Sequence, residues 1–300
     1  MVSKLRCYAA SWATIDDIVR THQPQCAMLG PDCWLTGQEK GYSTYPMWYG
    51  VDTTDNTTHG RPIALDATHG NPHGTWFKVW ESDCSNYGGC HPWFFGGDRP
   101  QPLSLTMSHW ESTYGLGHNY ILNLPPSKDG IITPNMAASA AAFGLERHRR
   151  YGQGSSAPDE PSECELARVS GRLPQWHPPT ATGTTTTGTS ATTETELVLT
   201  LAKPSVVDRI FLGEDVVRDG QLVAQYAVDA CSAVTQSACD SGKQWAPLVN
   251  GSSAKGGQTI GTHHIDVVKA TARFVRLRLL NVLAGPVLPL ISFRVLKVEV

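Results

Sequence analysis

The chain has 300 residues, with 24 basic and 27 acidic side chains for a formal net charge of −3 and a 40% hydrophobic share. That is enough to fill two cores of ordinary size and too apolar for a disordered chain. No block of either sign forms the footprint of nucleic acid or anionic lipid, and no run approaches the ~18 apolar residues of a membrane span. These observations argue against nucleic-acid and membrane partners and for a neutral or small ligand. Six of the nine tryptophans fall from Trp12 to Trp93; their flat faces suit sugar rings as well as ordinary cores.

The opening residues Met1 to Cys7 lack the apolar stretch of a secretory leader, so the sequence leaves the compartment open. Helical spacing of Trp12, Ile15, Ile18 and Val19, with Asp16, Asp17 and Arg20 opposite, predicts a helix over Ser11–Thr21. Pro24 stops it. The apolar run Gln25–Leu29, closed by Gly30 and Pro31, reads as a buried strand that delivers polar residues at its C-terminal end. A second such strand covers Tyr120–Leu124 and is closed by Pro125 and Pro126. A helix follows over Asn135–Tyr151, with Arg147 to Arg150 suiting its C-terminal dipole. Residues 1–151 thus read as one α/β unit.

Residues 152–195, with Ser, Pro, Gly and the threonine run Thr184–Thr187, read as a linker or long surface loop. Beyond it the pattern is all-β. Leu197, Leu199 and Leu201 alternate, and Val275, Leu277 and Leu279 share a face opposite Phe274, Arg276 and Arg278. Ser292–Val300 reads as a last strand whose register switches between Val295 and Leu296, which suggests a bulge. Residues 196–300 are expected to form a β-sandwich.

Cys84/Cys90 and Cys231/Cys239 are close enough to clip loops if the compartment is oxidising, and the sequons at Asn56 and Asn250 lean the same way. His59, His69 and His73 lie in a Gly- and Thr-rich loop without helical metal-ligand spacing, so neither a metal nor another cofactor is expected.

Three stretches carry a resemblance. Gly30-Pro-Asp-Cys-Trp-Leu-Thr-Gly-Gln-Glu-Lys-Gly41, followed by Trp48, resembles the Gly-Pro-Asp-x-Arg-Trp-x-Gly-Asn-Glu-x-Gly segment of α-L-fucosidases, with the Arg absent and Gln38 replacing Asn. Trp76 to Ser85 with Trp93, Phe94 and Phe95 resembles a second segment of that family, Glu81 and Asp83 keeping their places. Tyr114 to Gly130, containing Leu122-Asn-Leu-Pro-Pro126, is similar to a third and is the most specific. Further on, Ile210 to Gln221 and Thr259-Ile-Gly-Thr-His263 resemble turns of the family's C-terminal domain.

The resemblance implies about the second half of a (β/α)₈ barrel followed by a galactose-binding-like jelly-roll sandwich, because a whole barrel needs about 250 residues. It implies a fucosylated glycan as substrate and, from half a barrel, self-association through open strand edges. The family is usually secreted or lysosomal. A retaining glycosidase uses two carboxyl groups about 5–5.5 Å apart. By motif position Glu39 is the acid/base; Glu81 is the alternative donor or, with Asp83, a ligand for sugar hydroxyls. Trp48, Trp76, Trp80 and Trp93 are candidate faces for the sugar. The family's nucleophile is an Asp after a Trp-Phe pair, and the stretch Cys7 to Thr14 contains no Asp, so the nucleophile is expected upstream of this chain. The competing reading is a glycan-binding or interaction protein without activity.

Overall fold

The computed structural model describes residues 17–25, 41–51, 53–58, 61–64, 69–74, 76–77, 80–90, 93–152, 162–170, 195–250, 256–283 and 290–298. Residues 17–22 are helical (α1), overlapping the helix expected over 11–21 and ending one residue beyond it. The strand expected over Gln25–Leu29 lies, apart from Gln25, outside the described residues.

Two short hairpin-like pairs come first: β1 (Gly50–Val51) with β4 (Trp76–Phe77), and β2 (Thr53–Thr58) with β3 (Arg61–Ala64), both antiparallel. The next pair differs in kind. β5 (Glu81–Ser85) and β6 (Asn119–Asn123) are parallel, and the connection between them carries α2 (Leu103–Thr113) and a 3₁₀ turn, Tyr114–Leu116. A parallel pair needs such a crossover, and this is one β-α-β unit. Among the described residues β5–β6 is the one parallel pairing, and no closed barrel is present. α3 (Pro134–Tyr151) follows, one residue longer than expected, with Pro134 in its first turn and His148, Arg149 and Arg150 in its last. Asp98 caps it from a distance: its carboxylate accepts from the Thr133 hydroxyl and from the Met136 backbone N–H, placing negative charge at the helix N-terminus.

The C-terminal part is one antiparallel sheet in the order β10-β9-β11-β8-β12-β7. Its strands are β7 (Glu165–Ser170), β8 (Thr195–Glu214), β9 (Val223–Cys231), β10 (Ala246–Val249), β11 (His264–Val282) and β12 (Leu290–Leu296), with short helices α4 (Val216–Asp219) and α5 (Gln236–Ser241) between. The expected linker is therefore corrected. Glu165–Ser170 lies inside 152–195 and pairs along β12 as the edge strand. A six-residue edge strand flanked by loop-like composition leaves little periodicity to read.

β8 and β11 are 20 and 19 residues long. Their mutual register breaks between Val267 and Ala270 and between Ala272 and Phe274. Such breaks let one strand bend and serve both layers of a sandwich. The sheet folds over a single core: one cluster gathers Leu199, Leu201, Ile210 and Leu212 of β8, Val275, Leu277 and Leu279 of β11, Val249 of β10 and Phe293 and Val295 of β12. Leu166, Ala167 and Val169 of β7 pack against it, so both edges of the sheet meet one core. Phe274 lies on the other face against the Cys231–Cys239 disulfide, and Arg276 and Arg278 pair with Asp229 at 3.0 and 2.8 Å.

The bulge expected between Val295 and Leu296 is present in the pairing with β7, and the adjacent apolar residues of β12 have a further cause. Phe293 and Val295 enter the sandwich core while Leu296 and Val298 enter a second cluster with Met107 and Trp110 of α2 and Tyr151 of α3. Alternation is kept; the strand is buried on both faces. The irregularity between Val295 and Leu296 lies in the pairing with β7, where Leu166 is the extra residue.

That second cluster joins the helices to the sheet. In its midst Glu111 of α2 binds Arg209 of β8 at 3.0 Å and Arg150 of α3 at 3.2 Å and accepts from the Tyr151 hydroxyl at 2.7 Å. Glu111 and Arg209 have side chains only 8% and 7% exposed, so losing one partner strands a buried charge. Arg209→Met is expected to cost about 3 kcal/mol, measured as a lower urea midpoint, and adding Glu111→Gln to it should restore part of the loss.

A second joint is built on polar side chains. Gln221 accepts from Tyr49 N–H and donates to Met47 C=O, both at 2.8 Å, as a neighbouring strand would. The Thr259 hydroxyl accepts from Met47 N–H at 3.1 Å, and Tyr49 donates to Gly117 C=O at 2.8 Å. Behind them the buried Glu214 accepts from Leu222, Val223 and Gly261 N–H groups at 2.7, 2.9 and 2.7 Å. Burial pushes its pKa up from 4.5 to about 7 despite these donors. The native chain thus holds this proton more tightly than the unfolded chain. The stability it contributes is full below about pH 4.5 and is lost as pH rises through about 7. Urea midpoints near pH 5 and pH 8 should differ in that sense, and the difference should shrink in Glu214→Gln.

Candidate active site

The parallel register sets Glu81 opposite Asn119, Asp83 opposite Ile121 and Ser85 opposite Asn123. Which way these residues point follows from their neighbours. Ser82 Oγ lies 3.3 Å from His118 Nδ1, and Cys84 forms a disulfide with Cys90 beside His109 of α2. Ser82 and Cys84 therefore occupy the helix side. Since successive strand side chains alternate, Glu81, Asp83 and Ser85 share the other face with Asn119, Ile121 and Asn123.

At the C-terminal ends of these strands Asn123 acts as a tie. Its Nδ2 donates to Ser85 Oγ at 3.2 Å and to Trp93 C=O at 3.1 Å, and its own carbonyl accepts from Asn86 N–H at 2.9 Å. The Trp93 segment is thereby held across the end of the parallel pair. On the outer edge of β5, Gly41 N–H donates to Asp83 C=O at 3.2 Å. Gly41 has φ +67°, and a Cβ there would come within 2.6 Å of Cys90 Sγ, so only glycine lets this segment close on β5.

Glu81 is 8% exposed. Its pKa is raised, first by burial and then by the charge of Asp83 two residues along the same face. Burial and the neighbouring carboxylate thus both favour the protonated form of Glu81. On the helix side burial lowers His118 to about 4, keeping its ring neutral.

The remaining expected site residues divide. Glu39 lies outside the described residues. Trp93 is half-buried in the segment held by Asn123, and Trp48 is half-buried, its carbonyl accepting from the Trp80 indole N–H at 2.7 Å. Trp76 is placed by its backbone in β4 opposite Val51, and its side chain lies outside the described residues. Trp80 is a core residue, 1% exposed, packed with Met47, Tyr49, Val51 and Val216. Position 80 alternates with Glu81 and points away from the carboxylate face, so it offers no ring face to a sugar.

One cluster escaped sequence reasoning. Cys84, Cys90 and His109 bring three potential metal-ligating atoms within 4.8 Å of one another. The distance of His109 along the chain from the closely spaced Cys84 and Cys90 hid the cluster, since motif spacing registers only ligands that are neighbours in sequence.

No family model matches the chain, and no curated protein matches it in sequence. Its fold is matched by solved structures. One from Bacteroides thetaiotaomicron, assigned as an α-L-fucosidase, aligns with a TM-score of 0.67 and 21% identity over 94% of this chain and 56% of its own. One from Bacteroides ovatus with the same assignment aligns with a TM-score of 0.68 and 19% identity over 96% and 45%. A glycoside hydrolase family 29 fucosidase of Ruminococcus gnavus, in complex with fucose, aligns with a TM-score of 0.62 and 18% identity over 88% and 50%. The chain thus spans about half the length of the structures it matches. At these identities the likeness is one of fold: the chain has the fold of about half of these family 29 fucosidase structures.

Proposed function

We propose that this chain is the C-terminal portion of an α-L-fucosidase-type glycoside hydrolase acting on terminal α-L-fucose of glycans, by a retaining mechanism. The observation that carries the proposal is the Glu81–Asp83 pair on the open face of β5, with Glu81 buried and its pKa raised, in a fold shared with structures named as fucosidases. A general acid must hold its proton near the working pH, and burial beside a second carboxylate provides that. Glu39 is the other candidate for this role by motif. In its favour, Gly41, two residues further along the chain, is bonded to Asp83, which joins the two motifs at one strand. With Glu39 as acid/base, Glu81 and Asp83 would hold sugar hydroxyls, and Trp48 and Trp93 would border them. No Asp of this sequence matches the family's nucleophile position, so the chain is assigned the proton-transfer half of the chemistry.

Hydrolysis of 4-nitrophenyl α-L-fucoside by the purified chain tests the reading, with azide added as an external nucleophile to stand in for a missing carboxylate. Turnover in either condition supports it, whereas glycan binding without turnover favours a binding module. If Glu81 is the acid, Glu81→Gln is expected to lower kcat by about 10²–10⁴-fold. Activity then falls as pH rises through the raised Glu81 pKa, and Asp83→Asn, by removing one cause of that rise, moves this limb to lower pH. An unmoved limb returns the acid role to Glu39.

A further inference from the structure

The helix side of β5 carries chemistry that the glycosidase reading does not use. His109 Nδ1 lies 3.3 Å from both Cys84 Sγ and Cys90 Sγ, so one imidazole nitrogen faces both sulfurs of the disulfide. Gln101, just ahead of α2, lies against the same group with Nε2 3.9 Å from Cys84 Sγ. The Gln101 side chain is 6% exposed, and its Oε1 has no hydrogen-bond partner among the described residues. A buried amide oxygen without a partner is costly. Turning the amide over exchanges its oxygen and nitrogen and brings that oxygen to the sulfurs.

Tetrahedral zinc with Zn–S near 2.3 Å and Zn–N near 2.0–2.1 Å sets sulfur and nitrogen about 3.5 Å apart and two sulfurs about 3.8 Å apart. Both sulfur-to-nitrogen spacings are already within a few tenths of an ångström of that value. Only the two sulfurs must separate, which breaking their bond permits. Two thiolates, an imidazole and an amide oxygen form a donor set suited to zinc.

We propose that Cys84, Cys90, His109 and Gln101 form a redox-gated zinc site, closed by the disulfide and opened by a dithiol reductant. In the opening step the reductant's two thiols become a disulfide, and their two electrons and two protons pass to Cys84 and Cys90. The Cys84–Cys90 bond breaks and two S–H groups form. Zn²⁺ then displaces both thiol protons as it binds the two sulfurs. Cys84 lies between Asp83 and Ser85, so the site sits back to back with the carboxylate face.

The test is a Co²⁺ titration of the whole chain, reduced by a trialkylphosphine, which takes up oxygen from water as the disulfide is reduced and competes little for metal. The expected result is one Co²⁺ per chain with a near-ultraviolet thiolate-to-cobalt band and tetrahedral visible bands, both lost on adding Zn²⁺. The unreduced chain should show neither. Cys84→Ser with Cys90→Ser should abolish the thiolate signal, while Cys231→Ser with Cys239→Ser should leave it intact. His109→Ala and Gln101→Ala, which keep the disulfide for folding, should each weaken binding roughly tenfold or more. Equal uptake by the unreduced chain, thiolate bands persisting in the Cys84→Ser, Cys90→Ser double variant, unchanged affinity in both His109→Ala and Gln101→Ala, or unfolding on reduction by circular dichroism would each overturn the proposal. No glycoside enters the measurement, so its outcome is independent of the fucosidase reading.

Discussion

The structure depends on burying both faces of β8, β11 and β12 where they meet the helices. Their inner face supplies the sandwich core, and their outer face receives Trp110, Met107 and Tyr151. A strand covered on both sides cannot shift by one residue without moving every side chain to the wrong layer. The ion pair of Glu111 with Arg209 adds direction to this apolar seam. Its charges are satisfied only when α2, α3 and β8 are all seated.

Position then passes from the seam to the carboxylates. α2 belongs to the crossover between the two parallel strands, so seating it against the sheet orients the β5–β6 pair that it joins. The Gln221 and Thr259 contacts to Met47 and Tyr49 fix the segment leading away from Gly41, and Gly41 is bonded to Asp83. The β domain therefore acts as a foundation for the strand that bears Glu81 and Asp83. The motif residues Glu214, Gln221, Thr259 and Gly261 serve this joint; none is placed at the carboxylate face.

β5 itself divides two kinds of chemistry by alternation. One side carries Glu81 and Asp83, the Glu81 pKa raised by burial and by the Asp83 charge. The other side carries the Cys84–Cys90 disulfide, with His109 of α2 and Gln101 beside it. Five residues of one strand thus present a carboxylate face and a sulfur-bearing face about one side chain apart.

The sequence by itself determined the elements whose signals are local. The helix ending at Tyr151, the strand around Tyr120–Leu124, the alternating Val275, Leu277 and Leu279, and both short-range disulfides were legible because periodicity, proline stops and close cysteine spacing act within a few residues. The pairing of Glu81 with Asp83 was visible as motif. Only the tertiary structure decided what depends on a distant partner: that Glu165–Ser170 is an edge strand, that Val295 and Leu296 are adjacent apolar residues because two cores meet at β12, and that Trp80 fills a core. It also brought His109 and Gln101 to the sulfurs. The physical reason is the same in each case: burial and ligand geometry are set by residues far along the chain, and local pattern carries no record of them.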